Sequence, residues 1–356
     1  MVDRHPQKNR LDNVQVLRAI ASVMVVIYHA TRIVSDRDPG TALPVWNTGQ
    51  AGVDIFFVIS GLVMALSVDR PGHASWRTFA FRRITRIVPM YWLATSIKLA
   101  AVLLAPALLT HASFDWWHVI ASYLFIPARN PEGVVYPLLY VGWTLNFEML
   151  FYVLFALALA FRVALLPFLT LSILSLVALG SLRSGDWPAA ATLLSPLLLE
   201  FLAGVGLGKF ASKFMAGEAQ LHWGSLLSIA VASALVMLAA PAGTDQSVWR
   251  VAWWGLPSVG IVFVAMRARA QPQKIWLDAG NASYVIYLFH GFILSAFGAL
   301  LSRMADTLPF EISWVVLSVL ASCILGVWIN RYLEDPLTKR LNASTPKLAP
   351  AVTHPS

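Results

Sequence analysis

Charge is scarce in this chain. Of its 356 residues only 12% are charged and 58% are hydrophobic, whereas an ordinary soluble domain is about 25% charged. Mean hydropathy is +0.68. Cysteine is almost missing: the single Cys323 lies inside an apolar run, which excludes an intrachain disulfide and leaves the redox compartment unread. No two histidines stand at a ligand spacing such as HxxxH, so no metal centre is expected. A glycine-rich phosphate loop is also lacking, which disfavours ATP-driven chemistry. There is no G-x-S-x-G elbow, no reactive cysteine and no visible inverted repeat of the transporter kind. The net charge of +8 raises the question of a nucleic acid. Most basic residues, however, sit in short connections between apolar runs and form no basic face with interleaved aromatics, so no nucleic-acid partner is expected.

What the chain does have is apolar runs of bilayer-crossing length from end to end. They predict an all-α integral membrane protein of about ten transmembrane helices, over 14–34, 51–68, 87–107, 139–161, 163–182, 189–208, 223–240, 249–266, 280–300 and 313–330. The first run follows a basic N-terminus but no small-x-small cleavage site follows it, so an uncleaved span is expected. Trp116 to Ile126 is apolar but, at about 11 residues, fits a re-entrant or interfacial segment better than a span. Its Trp116, Trp117 and Tyr123 suit an interface. With ten spans, about 18 Lys and Arg fall on the side of the N-terminus and about six on the other, which places both termini in the cytoplasm. An eleventh span at Trp116 would ruin that bias. The polar, proline-containing chain after Asp335 is expected to be disordered.

Ionisable groups inside spans cost at least about 2.5–3.5 kcal/mol each and mark functional sites by default. Arg18 and His29 are 11 residues apart, which puts them about 20° apart around a helix and roughly 16 Å apart along it. They share one stripe, Arg18 at the cytoplasmic end and His29 in the outer half. The plainer alternative is a packing histidine and a snorkelling anchor. Asp54 begins the second span at a similar depth, where it can orient His29 as a general base or merely cap its helix. Arg82 and Arg86 share a helical face, with Arg83 beside them. The group suits a phosphate or diphosphate, or else sets topology and meets lipid headgroups. Thr144, Glu148 and Tyr152 form a polar stripe in the fourth span, and Ser283, Tyr287 and His290 another in the ninth. Either stripe alone could be polar glue between helices. Together these groups imply a polar cavity through most of the membrane.

These residues carry a resemblance. Arg18-x10-His29, Gly-Val-Asp54-x-Phe-Phe-x-x-Ser60-Gly61, Arg82-Arg83-x-x-Arg86-Ile-x-Pro89 and Trp143-Thr-Leu-x-x-Glu148 occur in order. Ser283-Tyr284-x-x-Tyr287-Leu-x-His290 and Glu334-x-Pro336-x-x-Lys339 complete the set. Over about residues 10–340 the chain resembles the acyltransferase-3 family of bacterial membrane acyltransferases, most closely its exopolysaccharide and O-antigen acetyltransferase members. The departures are Ile and Val in place of the commoner Leu and Phe around Ser60.

The resemblance implies a 1–340 transmembrane acyltransferase domain with a disordered cytoplasmic tail over 341–356, in the bacterial inner membrane. It implies an O-acyltransferase that takes acetyl, or alternatively succinyl, from cytoplasmic acetyl-CoA or another acyl-CoA. The acceptor would be a hydroxyl of a periplasmic polysaccharide or lipid-linked oligosaccharide. Acyl-CoA is a co-substrate, and no cofactor is expected to be permanently bound. His29, helped by Asp54 and Glu148, is the expected catalytic group, by direct deprotonation or an acyl-imidazole relay. Arg18, Ser60, Arg82, Arg83 and Arg86 are assigned to the donor, and Trp143, Tyr152, Tyr287 and His290 to the acceptor. Arg32 is a further cation that a succinyl donor would favour. The oligomeric state stays open, a homodimer included. The rival reading is a transporter or flippase for lipid-linked sugars, which needs a polar cavity but no dock for a coenzyme.

Overall fold

The structure, a computed structural model, describes residues 5–68, 75–104, 114–184, 187–216, 222–246, 248–268, 271–301 and 307–343. Helices α1 (His5–Arg37), α2 (Ala51–Val68), α3 (Trp76–Leu104), α4 (Trp116–Tyr123) and α5 (Trp143–Ala160) make the first half. Then come α6 (Leu165–Ser181), α7 (Leu198–Ala216), α8 (Trp223–Leu238), α9 (Leu256–Arg267) and α10 (Lys274–Asn281). The chain closes with α11 (Ser283–Leu301), α12 (Leu308–Ile329) and α13 (Asp335–Ala343). π-helical turns precede α9 at Val251–Gly255 and follow α12 at Asn330–Glu334. Among the described residues there is no strand, only an isolated bridge between Arg129 and Val135. The protein is all-helical because a backbone in hydrocarbon must satisfy its own polar groups, and a helix does so within one segment.

Five helical stretches are long and apolar enough to cross a bilayer: Asp12–Arg37, Asn47–Val68, Trp76–Leu104, Tyr140–Ala160 and Leu308–Ala343. Shorter apolar helices lie over Leu165–Ser181, Trp223–Leu238, Val251–Arg267 and Ser283–Gly298. Most of the expected spans are helical among the described residues, five stretches meeting the length and hydropathy of a span, but 189–208 is broken: a 3-10 turn over Ala189–Leu193 precedes α7, which starts at Leu198. Large apolar side chains such as Leu171, Leu235, Leu317 and Ile324 stand exposed. That is the expected outside of a protein whose solvent is lipid. α4 has only 8 residues, with the Asp115 side chain accepting from the His118 N–H at 2.7 Å, and is too short to span. The polar chain beyond Asp335 is ordered further than its composition suggests. Residues 335–343 form α13, and the Thr85 hydroxyl donates to Asn342 Oδ1 at 3.1 Å. Residues 344–356 of the expected tail lie outside the described residues.

The tightest helix pair is α2 against α7. A Cβ on Gly61 would lie 2.1 Å from the Phe201 carbonyl oxygen, and one on Gly204 2.0 Å from that of Val58. The two backbones touch there. Lipid supplies no hydrophobic drive between helices, so close approach of this kind is what holds them. Around it, Phe201 stacks on Phe57 at 4.4 Å and on Phe151 at 4.8 Å, joining α5 to the pair. Phe79 of α3 stacks on Phe155 of α5 at 4.7 Å. These contacts fix α2, α3 and α5, the helices that wall the site described next. Gly204→Leu is expected to force α2 and α7 apart at a cost of about 1–3 kcal/mol or more, because the obstacle is backbone rather than a movable side chain. Thermal unfolding in detergent measures it: a wild-type midpoint in that variant would show that the helices do not pack this closely.

Candidate active site

Two cavities run along α1, α2 and α3. The wider, about 290 Å³, is lined by Gln15, Arg18, Ser67, Thr78, Arg82, Arg83 and Arg86. The deeper, about 100 Å³, is lined by Arg18, Ser60, Arg83, Arg86, Thr144, Glu148, Tyr152, Tyr284 and Tyr287, with apolar side chains of α2. They share Arg18, Val63, Arg83 and Arg86 as common walls. The arginine group of α3 and the stripe residue of α1, 64 to 68 positions apart in sequence, thus face one space.

These arginines make few close hydrogen bonds to protein, although Glu148, Glu334 and Tyr152 act on them electrostatically. Arg18 Nη1 donates to Gln15 Oε1 at 3.3 Å. Arg83 reaches Ser67 Oγ only at 3.5 Å, and its Nε is buried with no hydrogen-bond partner. Its guanidinium lies over the rings of Phe79 at 5.6 Å and Tyr152 at 5.9 Å. Several guanidinium donors converging on cavities whose walls include one carboxyl, Glu148, form a site for an anion with many oxygens, such as a diphosphate. Farther in, Glu148 Oε1 accepts from Ser60 Oγ at 3.0 Å and from the Tyr152 hydroxyl. The stripe of α5 therefore faces the cavity at Glu148 and Tyr152. At its top Thr144 meets the Tyr287 hydroxyl at 3.0 Å, and that hydroxyl donates to the Val141 carbonyl at 2.9 Å.

One helical turn beyond Tyr287 the two histidines meet. His290 Nε2 lies 3.2 Å from His29 Nδ1, and the rings are 5.0 Å apart between centroids. Their partners determine where the protons sit. His290 Nδ1 is 2.7 Å from the Tyr287 carbonyl, which can only accept, so His290 carries its proton on Nδ1 and its Nε2 is a lone pair. His29 Nδ1 is 3.0 Å from the Val25 carbonyl and faces that lone pair, so it too must be the protonated nitrogen. His29 Nε2 is left as an unprotonated lone pair on a half-buried ring. This is the state a general base or nucleophile requires.

The structure separates other expected residues from His29. Asp54 does not touch it. Arg250 Nη2 donates to Asp54 Oδ2 at 2.7 Å and Arg250 Nε donates to Oδ1 at 3.0 Å, a bidentate pair whose side chains are 7% and 0% exposed. The groups hydrogen-bonded to the His29 ring are the Val25 carbonyl and His290. Glu148 likewise bonds Ser60 and Tyr152 in the deep cavity rather than the imidazole. Trp143 lies under Arg250, 6.0 Å from its guanidinium, on the far side of the α5 stripe. Tyr152 and Tyr287, placed with the acceptor by sequence, line the arginine-walled cavity.

Sequence reasoning passed over Arg250 and Glu200. Arg250 opens an apolar run and reads as a loop charge. Glu200 lies within the run 189–208 and could have been flagged as a carboxyl at membrane depth. It is buried beside Gly255, where a Cβ would lie 2.6 Å from its Oε1, and it acts electrostatically on both Arg250 and Asp54. Among the described residues no group of three or more His, Cys, Asp or Glu could hold a metal ion.

A bundle of apolar helices enclosing an arginine-lined cavity and an imidazole with a bare nitrogen has the makings of a membrane group-transfer enzyme. Comparison with known proteins gives the class. Residues 11–331 match an acyltransferase domain, and the chain belongs to the acyltransferase-3 family. It is 34% identical over 305 residues to the exopolysaccharide production protein ExoZ of Rhizobium meliloti (strain 1021), covering 82% of this chain and 90% of that protein. It is 28% identical over 176 residues to the putative membrane-bound transacylase BcsY of Komagataeibacter xylinus, covering 46% of this chain and 39% of that one. No solved structure matches. The protein is a membrane acyltransferase, which sets the transporter reading aside.

Removing Arg250 is expected to strand the buried Asp54 carboxylate. Arg250→Ala should cost about 3–5 kcal/mol, as breaking one side of a buried pair does. The double change Arg250→Met with Asp54→Asn should recover much of it. Folded yield by fluorescence-detected gel filtration measures both; equal yields for Arg250→Ala and wild type would dismiss the pair as a structural tie.

Proposed function

We propose that this protein moves an acetyl group, with succinyl as the alternative, from acyl-CoA on the cytoplasmic side to a hydroxyl of an extracytoplasmic or lipid-linked polysaccharide. Likeness to an exopolysaccharide production protein supports a polysaccharide acceptor. In this reading ten helices cross the bacterial inner membrane and both termini are cytoplasmic. The observation that carries the proposal is the bare Nε2 of His29 on the helix whose Arg18 walls both arginine-lined cavities, with its partner His290 one turn from the cavity-lining Tyr287.

The CoA phosphates dock on Arg82, Arg83 and Arg86, with Arg18 at the constriction that the two cavities share. The pantetheine arm then runs past Ser60 and Glu148. The axial rise of roughly 16 Å between Arg18 and His29 is of the order of that arm's reach, so the thioester arrives at the imidazole while the nucleotide stays behind. His29 Nε2 takes the proton of the acceptor hydroxyl as the oxygen attacks the thioester carbonyl carbon. The tetrahedral adduct collapses, the C–S bond breaks, and the thiolate sulfur recovers the proton from His29. Atoms and charge balance without a further reactant. While His29 is doubly protonated, its Nδ1–H bonds to Val25 and His290 are charge-assisted and stronger. That strengthening is the service an aspartate gives in other imidazole bases. An acyl-imidazole relay would use the same nitrogen.

His29→Ala is expected to abolish label transfer from radioactive acetyl-CoA to envelope glycan in membranes holding equal folded protein. Wild-type rates from that variant would remove His29 from the chemistry. His290→Ala should lower turnover by about 10²-fold, within the usual worth of acid–base assistance, and leave the KM for acyl-CoA alone. A rise in that KM with turnover intact would place His290 in donor binding instead. Arg82→Ala with Arg86→Ala should mainly raise the KM for acyl-CoA. If that constant stayed fixed, the phosphates would have to dock elsewhere.

A further inference from the structure

His29 lines neither arginine cavity, and its ring is met by aromatic side chains. Tyr28 lies edge-on to the His29 ring with centroids 4.8 Å apart, and Tyr140 stands 6.3 Å away at 85°. Tyr136 packs on Tyr140 at 4.6 Å. The three phenols come from two places, the α1 turn that carries His29 and the connection entering α5. They close on the reacting nitrogen's ring without being needed to fill the core. Tyr140 is 49% exposed, and Tyr28 and Tyr136 are half-buried.

Asp36 and Asp245 both act electrostatically on the Tyr28 phenol. Asp36 is exposed and uses one oxygen, Oδ1, on Arg32 Nε at 2.9 Å, which leaves Oδ2 as an acceptor. Arg32 also acts on this phenol but is tied to Asp36, so a CoA phosphate is held far less well here than over the arginines of the cavities. The surroundings suit a neutral ligand that offers an apolar face to aromatic rings and donates hydroxyls to carboxylates. A pyranose does both: its axial C–H groups stack on a ring and its equatorial hydroxyls radiate outward.

We propose that Tyr28, Tyr136 and Tyr140, with Asp36 and Asp245 at the rim, form the saccharide subsite that presents an acceptor hydroxyl to His29 Nε2. The inference rests on the acyltransfer reading and adds the acceptor's place and chemical class. Donor and acceptor then approach one imidazole over different surfaces, the donor over arginines and the acceptor over tyrosines. The donated proton and the attacking oxygen come from the same hydroxyl, as the transfer step requires.

The test uses the full chain in membranes, radiolabelled acetyl-CoA and succinyl-CoA, and exopolysaccharide purified from the producing cells and stripped of esters by mild base. Tyr140→Ala and Tyr136→Ala are expected to raise the KM for the polysaccharide about tenfold, the equivalent of one lost aromatic contact, with the KM for acyl-CoA unchanged. Tyr140→Trp keeps a ring and should retain near wild-type acceptor affinity. Unchanged polysaccharide KM in both alanine variants, in the presence of active wild type, overturns the subsite and leaves the acyltransfer reading standing. So does wild-type label that enters extracted lipid or peptide but no saccharide. No label from either donor with folded wild type overturns the acyltransfer reading itself and takes the subsite with it.

Discussion

Hydrocarbon gives nothing back to a charge, and every ionised side chain at membrane depth must find its counterpart in protein, cavity water or ligand. That constraint sorts Arg18, Arg83, Arg86 and Arg250 into two groups. Asp54 and Arg250 are fully matched, two hydrogen bonds to two oxygens with almost no exposure, and tie α2 to the start of α9. Arg18 and Arg83 make only long side-chain hydrogen bonds and, with Arg86, face cavities. The first group spends its charge on the fold. The second keeps its donors for something that arrives, and is where a polyanionic substrate belongs.

The histidine pair obeys the same rule with neutral groups. Two main-chain carbonyls, of Val25 and Tyr287, accept from the two Nδ1 atoms and so fix both tautomers without placing a carboxylate in the membrane. An aspartate in that position would bring a desolvation cost of several kcal/mol and would need a cation of its own. The Asp54–Arg250 pair shows what meeting that demand takes elsewhere in the molecule.

Helical periodicity made a good part of this legible. Eleven-residue spacing put Arg18 and His29 on one stripe, and four-residue spacing put Glu148 and Tyr152 toward one cavity, because both relations are set within a single helix. Partner choice was not legible. His29 and His290 are separated by 261 positions, Asp54 and Arg250 by 196, and no local period reports such pairings. Asp54 looked like the orienting carboxylate because its depth matches that of His29, but depth says nothing about which way a side chain turns around its helix. The tyrosines flanking His29 escaped notice because Tyr136 and Tyr140 precede α5, outside any periodic stripe. Family motifs marked the right residues while leaving open which of them touch.

The backbone contact between α2 and α7 also limits how this molecule can move. Helices that meet at bare glycine cannot slide past one another, since each turn of displacement would drive a carbonyl into a Cβ. The α2 wall of the arginine-lined cavity is therefore mechanically fixed to α7, and any widening falls to the opposite wall. There α3 carries Pro89 within its length, one turn from Arg86, where the helix lacks a backbone hydrogen bond and bends most easily. The arginines of α3 thus sit beside a break in their own helix that a neighbour holds in place, the Tyr284 hydroxyl donating to the Ile87 carbonyl at 2.8 Å.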